Sequence, residues 1–224
     1  MASSPRTDGR NSRRRKGSPP PAVRRLSLYL RHLEQLADSG RATVSSRQLG
    51  EALSTTDAQV RKDLAHFGQF GRPGVGYYVA ELAEHLRKIF GTDEVRNVAV
   101  IGAGSLGQAL LGHKGFLKKG FRLAAAFDTD PSKVGKSFGT VRVQSMSDLA
   151  SAVQAGRFSL AILAVPITAA QEVTDLLCRA GIRGILNFAP VQLTVPEGIA
   201  VVPVDLAVQL EQLSYVAASL NSNK

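Results

Sequence analysis

Between residues 22 and 91, apolar side chains recur every three to four positions in short runs, a pattern that predicts amphipathic helices. Two of these runs follow a serine or threonine with a glutamine three residues later, the pattern of a capping box: Ser45 with Gln48, and Thr56 with Gln59. A glycine-rich stretch then leads into Tyr77-Tyr78-Val79 and predicts a β-hairpin. Three short helices, a hairpin and a further helix predict a winged helix-turn-helix domain over residues 22–91.

From residue 92 onward, short apolar runs alternate with helical patterns. The runs predict buried strands at residues 98–101, 123–127, 160–165, 184–187 and 199–202. Alternating β and α units predict an α/β fold whose parallel sheet is covered on both faces. Residues 204–224 follow as a last helix with an apolar stripe, which must pack either on its own subunit or on another one.

Positive charge is concentrated near the N-terminus. The chain has 28 basic and 18 acidic residues, a formal net charge of +10, and residues 1–21 hold six basic residues and one acidic residue. We expect these 21 residues to form a disordered basic tail, because they are rich in serine, proline and glycine and have little apolar surface to bury. The uneven charge indicates a polyanionic partner. The alternative is a solvated tail that contributes only to solubility.

Composition narrows the class of protein further. The content of 44% hydrophobic and 21% charged residues is typical of folded domains. A single cysteine, Cys178, excludes an internal disulfide and favours a reducing compartment. The longest apolar run has eight residues, fewer than the ~20 of a membrane helix, and no apolar segment follows the N-terminal arginines as in a signal peptide. We expect a cytoplasmic protein with neither a membrane nor a metal as a partner.

One glycine motif indicates a nucleotide ligand. The run Gly102-Ala103-Gly104-Ser105-Leu106-Gly107 directly follows a predicted strand and opens a helix, the context in which GxGxxG binds a dinucleotide. Gly102 would permit the tight turn, Gly104 the approach of a pyrophosphate, and Gly107 close packing of helix on sheet. Free amides at the helix N-terminus would bind the phosphates. Residues 92–203 are therefore predicted to be a Rossmann-type domain.

Asp128 ends the second predicted strand of this domain, 26 residues after Gly102. A carboxylate at this place accepts hydrogen bonds from the adenosine ribose and repels a 2′-phosphate. No arginine follows within residues 129–131. The sequence therefore predicts binding of NADH or NAD⁺ rather than NADPH or NADP⁺.

The sequence supports nucleotide binding better than catalysis. A dehydrogenase needs an acid–base group beside the nicotinamide, usually with an orienting partner. Of the four histidines only His113 is expected near the nucleotide, and no partner accompanies it. Cys178 lies in a helical pattern and is interpreted as a buried structural thiol. We therefore expect a protein that is not an enzyme.

The third predicted helix has a basic face. If Val60 and Leu64 are directed to the core, Lys62 lies on the opposite side, with Gln59 and Arg61 at its edges. Arg61 would read a guanine edge in the major groove of DNA, and Lys62 would contact a phosphate or a base. Gln59, Arg61 and Lys62 are thus candidate DNA contacts.

Other candidate DNA contacts flank this helix. Ser45 and Ser46 begin the preceding helix, where hydroxyl and amide groups would bind phosphates. Arg72, at the tip of the predicted hairpin, would enter the minor groove. Asp63 lies at the edge of the helix core and is interpreted as structural.

Together the two halves resemble the Rex family of redox-sensing transcriptional repressors. The resemblance covers about residues 22–215. It is carried by the strings Val60-Arg61-Lys62-Asp63-Leu64, Phe70-Gly71-Arg72-Pro73-Gly74-Val75-Gly76-Tyr77, Gly102–Leu111, Ala125-Ala126-Phe127-Asp128, Ala169-Ala170-Gln171-Glu172-Val173 and Asn187-Phe188-Ala189-Pro190.

The resemblance implies a homodimer that binds inverted-repeat operator DNA and is released from it by NADH. It implies that the helix at 204–224 is a dimerisation helix swapped into the partner. It also implies that Arg25 and Asp205 belong to a contact network that couples the domains. The nicotinamide pocket is expected at Val165, Pro166, Asn187, Phe188, Ala189 and Pro190.

One residue departs from the family pattern. His113 stands where the family usually has tyrosine, and the resemblance implies that the tyrosine hydroxyl lies near the nicotinamide. A histidine there would replace that hydrogen bond or make discrimination between NADH and NAD⁺ depend on pH.

Two other classes of protein remain as alternatives. An NAD-dependent oxidoreductase would share the nucleotide site, and so would a CoA- or nucleotide-binding ligase subunit. Neither alternative accounts for the basic residues Arg61, Lys62 and Arg72.

Overall fold

The computed structural model describes residues 21–155 and 158–221. The predicted basic tail lies outside the described residues except for Pro21, at which the first helix begins. The N-terminal module contains α1 (Pro21–Asp38), β1 (Thr43–Val44), α2 (Ser46–Ala52), α3 (Asp57–Ala65), β2 (Tyr77–Tyr78) and α4 (Val79–Phe90).

Local capping signals position α2 and α3. The Ser45 hydroxyl accepts a hydrogen bond from the Gln48 amide while the Gln48 side chain accepts one from the Ser45 amide, so the predicted capping box is confirmed. At α3 only half of the box forms. Thr56 Oγ1 accepts from the Gln59 amide at 3.1 Å, but the Gln59 side chain turns toward Asp63 instead.

The glycine-rich wing differs from the predicted hairpin. Tyr77 and Tyr78 do form a strand, but its partner is β1, with Thr43 opposite Tyr78. The tip is a tight turn closed by paired backbone hydrogen bonds between Arg72 and Gly76. Gly76 has a φ of +89°, and a Cβ there would lie 2.5 Å from the Val44 carbonyl oxygen, so β1 and the wing can approach only because residue 76 is glycine.

One apolar core holds the N-terminal module together. It is formed by one face of α1 and α4 with side chains from β1, α2, α3 and β2: Leu26, Tyr29, Leu33, Val44, Leu49, Val60, Leu64, Tyr77, Val79, Leu82, Ala83 and Leu86. The helix α4 ends at Phe90, and Gly91 caps it in a left-handed conformation (φ +61°).

The second module alternates strands and helices. Its elements are β3 (Arg96–Ile101), α5 (Ser105–Gly112), α6 (Gly115–Lys118), β4 (Phe121–Asp128), β5 (Ser137–Phe138), β6 (Val141–Ser145), a 3₁₀ turn (Met146–Asp148), α7 (Leu149–Gln154), β7 (Leu160–Leu163), α8 (Ile167–Ala180), β8 (Gly184–Asn187), β9 (Ala200–Pro203) and α9 (Leu206–Asn221).

The described strands of this module form one sheet in the order β5-β6-β4-β3-β7-β8-β9. All neighbours are parallel except β5 and β6. Separate apolar clusters cover the two faces of the sheet, so the predicted α/β fold with a covered parallel sheet is confirmed. The short elements α6, β5 and β6 were not predicted. An alternating strand such as Val141–Ser145, for example, has no continuous apolar run.

The last helix, α9, is not covered by any other element in the part of the chain that the structure describes. Its residues 206–220 are all exposed. The large apolar side chains that it presents to solvent are Leu206, Val208, Leu210, Leu213, Tyr215, Val216 and Leu220. Within the described part of the chain, no helix has the length and apolar character needed to cross a membrane.

Candidate nucleotide and nucleic-acid sites

The glycine-rich turn joins β3 to α5, and two of its glycines are required by close backbone contacts. Gly102 has a φ of +95°, and a Cβ there would lie 2.3 Å from the Ala164 carbonyl oxygen. A Cβ at Gly107 would lie 1.9 Å from the carbonyl oxygen of Gly102. At Gly104 a Cβ would meet nothing within 4 Å, so this face of the turn is open to a ligand.

A groove of about 430 Å³ opens beside this turn at the carboxyl ends of β3, β4 and β7. Asp128 lines it and is only 7% exposed. Its Oδ2 atom accepts a hydrogen bond from the Ala103 amide at 2.8 Å, and Oδ1 accepts one from the Asp130 amide at 2.8 Å. The carboxylate is therefore tied directly to the glycine-rich turn.

Asp128 is ionised at neutral pH. Burial raises the pKa of its carboxyl group, but the hydrogen bonds from the Asp130 and Ala103 amides and from Lys133 outweigh burial, so the pKa lies below its ordinary value. Lys133 Nζ lies 3.3 Å from Asp128 Oδ2, and this hydrogen bond raises the pKa of the lysine. The groove thus presents a fixed negative charge, an acceptor suited to sugar hydroxyls.

The structure divides the predicted nicotinamide residues between two cavities. Val165 and Pro166 line the groove beside the glycine-rich turn. Asn187, Ala189 and Pro190 line a separate cavity of about 680 Å³, which extends to the first turn of α9.

Three of the other predicted nucleotide contacts have local roles in this arrangement. Asn187 is buried, and its side chain holds the following loop through hydrogen bonds with the backbone of Ala189 and Val191. Phe188 packs against the apolar cluster on one face of the sheet. His113 ends α5, is exposed, and makes an edge contact with the Phe116 ring at 5.3 Å. A role of these residues toward the nicotinamide stays a prediction.

The candidate DNA-binding face is formed by α3 and the start of α2. Lys62 is exposed, and its ammonium group has no hydrogen-bond or ion-pair partner in the described part of the chain. Arg61 Nη1 lies 2.7 Å from Asp57 Oδ2 and 3.1 Å from Ser46 Oγ. The structure therefore brings Arg61 and Ser46 together at one edge of α3, and their contact with DNA stays a prediction.

The remaining DNA candidates differ in how free their side chains are. Ser45 caps α2, so its hydroxyl oxygen is already an acceptor. Gln59 donates to Asp63 Oδ1 at 2.7 Å and is directed away from solvent. The Arg72 guanidinium stacks on Tyr78 at 4.5 Å and remains 59% exposed on the wing. Of the three, Arg72 has the side chain most available to a ligand.

The two residues expected to couple the modules do not contact each other within the chain. Arg25 pairs with Asp63 through two hydrogen bonds of 2.5 and 2.7 Å. Asp205 Oδ1 accepts from the Ala207 and Val208 amides and begins α9. Contact between Arg25 and Asp205 of different subunits stays a prediction.

A different residue joins the two modules. Glu34 of α1 is 17% exposed and accepts a hydrogen bond from Arg87 Nη2 of α4 at 3.0 Å. Its other oxygen pairs with Lys119, just before β4. Sequence reasoning missed this bridge, because residues 85 positions apart in the chain have no local pattern that relates them.

Two protein families match parts of the chain. The family described as "Putative DNA-binding protein N-terminus" matches residues 19–65. The family described as "CoA binding domain" matches residues 93–191. The first match contains α1–α3, and the second contains the glycine-rich turn and the groove.

Curated relatives match across both modules. The redox-sensing transcriptional repressor Rex of Carboxydothermus hydrogenoformans is 45% identical over 197 residues, which cover 88% of this chain and 95% of the relative. The protein of the same name from Rhodopirellula baltica is 48% identical over 195 residues, which cover 87% of this chain and 82% of the relative.

Solved structures of a Rex-family repressor called RSP are also similar. RSP in complex with β-NAD⁺ and operator DNA matches with a TM-score of 0.84 at 38% identity, covering 92% of this chain and 95% of that chain. RSP in complex with β-NADH matches with a TM-score of 0.81 at 36% identity, covering 91% and 96%. With this similarity over both modules, the chain belongs to the Rex family of redox-sensing transcriptional repressors, which are regulators and not enzymes.

Proposed function

We propose that this chain represses transcription as a homodimer that binds inverted-repeat operator DNA and leaves it when NADH occupies the groove beside Gly102–Gly107. In this proposal residues 22–91 bind DNA, residues 92–203 bind the nucleotide and residues 204–224 form the dimerisation helix. One observation carries it: a single chain joins an open basic helix face to a dinucleotide-type turn. A cytoplasmic location, which the single cysteine favours, belongs to the same proposal.

The groove has the features that an adenine dinucleotide needs. The open face at Gly104 and the amides at the start of α5 would hold the pyrophosphate. Asp128 would accept hydrogen bonds from the adenosine ribose. Val165 and Pro166 at the end of β7 would border the nicotinamide. The bound dinucleotide supplies no reaction here and acts as the signal.

Discrimination between the two redox forms follows from charge. The dihydronicotinamide ring is neutral and the oxidised ring is cationic, so an apolar pocket favours NADH because it need not desolvate an unpaired charge. NADH shifts the repressor away from DNA only if it binds the arrangement that cannot bind DNA more tightly. A shift of the population from 99:1 to 1:99 needs a roughly 10⁴-fold difference in affinity.

The exposed apolar side chains of α9 support a dimer. An isolated helix with Leu210 and Leu213 in water would leave apolar surface uncovered, and association with a second subunit would cover it. A two-fold dimer places its winged helices on half-sites about one DNA turn, or a multiple of it, apart. Rotation of the modules relative to each other would break this spacing without unfolding either of them.

The test is operator binding at fixed salt, with an inverted-repeat fragment selected by the protein from a random DNA pool. Salt is held constant because phosphate contacts make affinity depend strongly on ionic strength. We expect NADH to release the DNA at concentrations at which NAD⁺ does not. Specific DNA binding that neither nucleotide changes would contradict the proposed signal, and absence of specific binding would contradict the assignment of α3.

A double variant, Arg61→Ala/Lys62→Ala, separates a repressor from a nucleotide-binding enzyme. We expect operator affinity to fall about 100-fold or more while NADH affinity stays unchanged. The matched control is Lys136→Ala/Arg142→Ala, which removes the same charge from exposed residues of the other module. If the control weakens operator binding equally, the basic face of α3 has no specific role.

CoA is the second candidate ligand, because the family matched by residues 93–191 is described as a CoA binding domain. CoA also contains an ADP group, so it would compete for the same groove. Titration of the operator complex with CoA provides this comparison. Release by CoA and not by NADH would identify CoA as the signal.

A further inference from the structure

Three charged side chains meet at the rim of the groove. Lys133 Nζ lies 3.3 Å from Asp128 Oδ2 and 3.5 Å from Asp130 Oδ2. Lys133 is also the one cationic side chain among the described residues that line the groove. Lys133 was not predicted from the sequence, because only residues 129–131, directly after Asp128, were expected to contact a 2′-phosphate.

The carboxylates of Asp128 and Asp130 differ in burial and in their hydrogen bonds to the backbone. Asp128 is buried, and both of its oxygens accept backbone hydrogen bonds, so its charge cannot be removed without disturbing the glycine-rich turn. Asp130 is 41% exposed, and its Oδ1 accepts from the Ser132 amide at 2.9 Å. Because asparagine can keep this bond through its carbonyl oxygen, the charge of Asp130 can be tested apart from its role in the turn.

All three groups are charged at neutral pH. Hydrogen bonds from Ser132 hold the pKa of Asp130 below its ordinary value, while the hydrogen bond to Asp128 raises the pKa of Lys133. Two carboxylates and one ammonium leave one net negative charge at the end of β4, where a carboxylate bonds the adenosine ribose in this type of fold. A ribose hydroxyl tolerates that charge, whereas a 2′-phosphate, itself an anion, is repelled by it.

We propose that Asp130 and Lys133 set the discrimination between NADH and NADPH in this protein. Asp130 adds a second carboxylate to the pair of Lys133 and Asp128, so the charge of Lys133 is already more than balanced and cannot neutralise a 2′-phosphate. This inference rests on the proposed function, because it requires that the groove binds NADH. It assigns the specificity for NADH over NADPH to Asp130 and Lys133 in addition to Asp128, the carboxylate that ends β4.

The experiment is a pair of fluorescence titrations with NADH and NADPH on the full chain and on Asp130→Asn. Removal of one charge beside a partly exposed lysine is expected to raise NADPH affinity about tenfold. NADH affinity should change less than about twofold, because no phosphate lies at its 2′-position. Asp130→Ser, which also retains an acceptor oxygen, provides the same test if the asparagine variant does not fold.

Two further variants show whether the gain depends on the lysine. In Asp130→Asn/Lys133→Gln the gain in NADPH affinity should disappear, since no cation is left to neutralise the phosphate. The matched control is Glu197→Gln, which removes one exposed carboxylate just before β9, an edge strand separated from β4 by β3, β7 and β8. This control should leave the affinities for both nucleotides unchanged.

The outcomes separate this inference from the proposed function. NADH binding by the unmodified chain, with a gain in NADPH affinity confined to Asp130→Asn and Asp130→Ser, supports the inference. Without that gain, or with NADPH bound by the unmodified chain as tightly as NADH, the inference is overturned and the proposed function stands. Failure of the unmodified chain to bind NADH overturns the proposed function itself.

Discussion

Asp63 in the N-terminal module and Asp128 in the second module are the two buried carboxylates of the described residues, 3% and 7% exposed. Asp63 receives four hydrogen bonds, all from side chains: two from Arg25, one from Tyr29 and one from Gln59. Asp128 receives two bonds from backbone amides and one from Lys133.

The difference between these carboxylates shows how burial relates to function. A carboxylate has about four acceptor positions, and the side chains of α1 and α3 fill those of Asp63. Asp63 is therefore a structural residue, because it joins α1 to α3 and has no acceptor position left for a ligand. Asp128 has an acceptor position left and borders an open groove. The free acceptor and the groove together, more than burial, mark a residue that can bind a ligand.

The largest effect is expected from Asp63→Asn, which leaves the guanidinium of Arg25 without its anion. Asp63 is buried while the Arg25 side chain is 32% exposed, so we expect the free energy of unfolding to fall by about 3 kcal/mol, mainly because hydrogen bonds to a buried carboxylate lose their charged acceptor. Urea denaturation followed by circular dichroism measures this loss. The control is Asp57→Asn on the same helix, whose exposed carboxylate should matter little. Equal stability of the Asp63 variant and the unmodified chain would remove the contrast with Asp128.

Asp128→Asn should act on ligand binding instead. We expect NADH affinity to fall about 100-fold, equivalent to about 2.7 kcal/mol, because the ribose loses a charged acceptor and the turn at Ala103 loses its anchor. Isothermal titration calorimetry with NADH provides the measurement, with the exposed Asp148→Asn as control. Unchanged NADH affinity would show that neither the charge of Asp128 nor its bond to the Ala103 amide contributes to NADH binding.

Low pH should also lower the free energy of unfolding, because Asp63 becomes protonated. The hydrogen bond from Arg25 is the main cause that holds the pKa of Asp63 below its ordinary value of 3.8. A carboxyl group whose pKa is lowered on folding contributes stability that is complete above its unfolded pKa and is lost as pH falls through the folded value. Below about pH 4 the unmodified chain should therefore lose up to about 1.4 kcal/mol more per pH unit than Asp63→Asn. Urea titrations from pH 5 to pH 2.5 test this, and parallel curves would contradict it.

The smallest effect is expected from Tyr29→Phe, which removes one of the four donors to Asp63. Burial raises the pKa of the Tyr29 hydroxyl to about 12, with a further contribution from its hydrogen bond to Asp63, so the hydroxyl stays a donor at neutral pH. Its removal should cost about 1 kcal/mol, the typical net contribution of one hydrogen bond. A loss as large as that of Asp63→Asn would mean that the tyrosine, rather than the arginine, holds the carboxylate.

Local signals predicted most of the fold. The capping residues Ser45 and Thr56, the stop at Gly91 and the glycine-rich turn at Gly102 each act within a few residues, so their effect can be inferred from the sequence directly. The wing was only partly predicted. Tyr77-Tyr78 has the composition of a strand, but whether it pairs with a neighbour in sequence or with β1 depends on contacts across the module.

The sites were predicted less completely than the elements. Lys133 was missed because the turn between it and Asp128 returns the chain to the groove, a geometry set by the hydrogen bond from Ser132 to Asp130. The predicted nicotinamide residues were expected to line one pocket, whereas in the structure Val165 and Asn187 line different cavities. Since β7 and β8 are neighbouring strands, with Leu163 opposite Asn187, the order of the strands does not show which cavity each strand end lines.

The sequence by itself determined the two modules, the polar face of α3 and the dinucleotide-type turn, because helix periodicity, caps and glycine conformations are properties of short segments. Only the tertiary structure decided which charges meet. It pairs Arg25 with Asp63 across 38 positions and Glu34 with Lys119 across 85. It leaves the Lys62 ammonium exposed and without a partner among residues 21–155 and 158–221. Ion pairs form where folding brings side chains together in space, and the free energy that selects them comes from burial and packing of the whole module rather than from any local pattern.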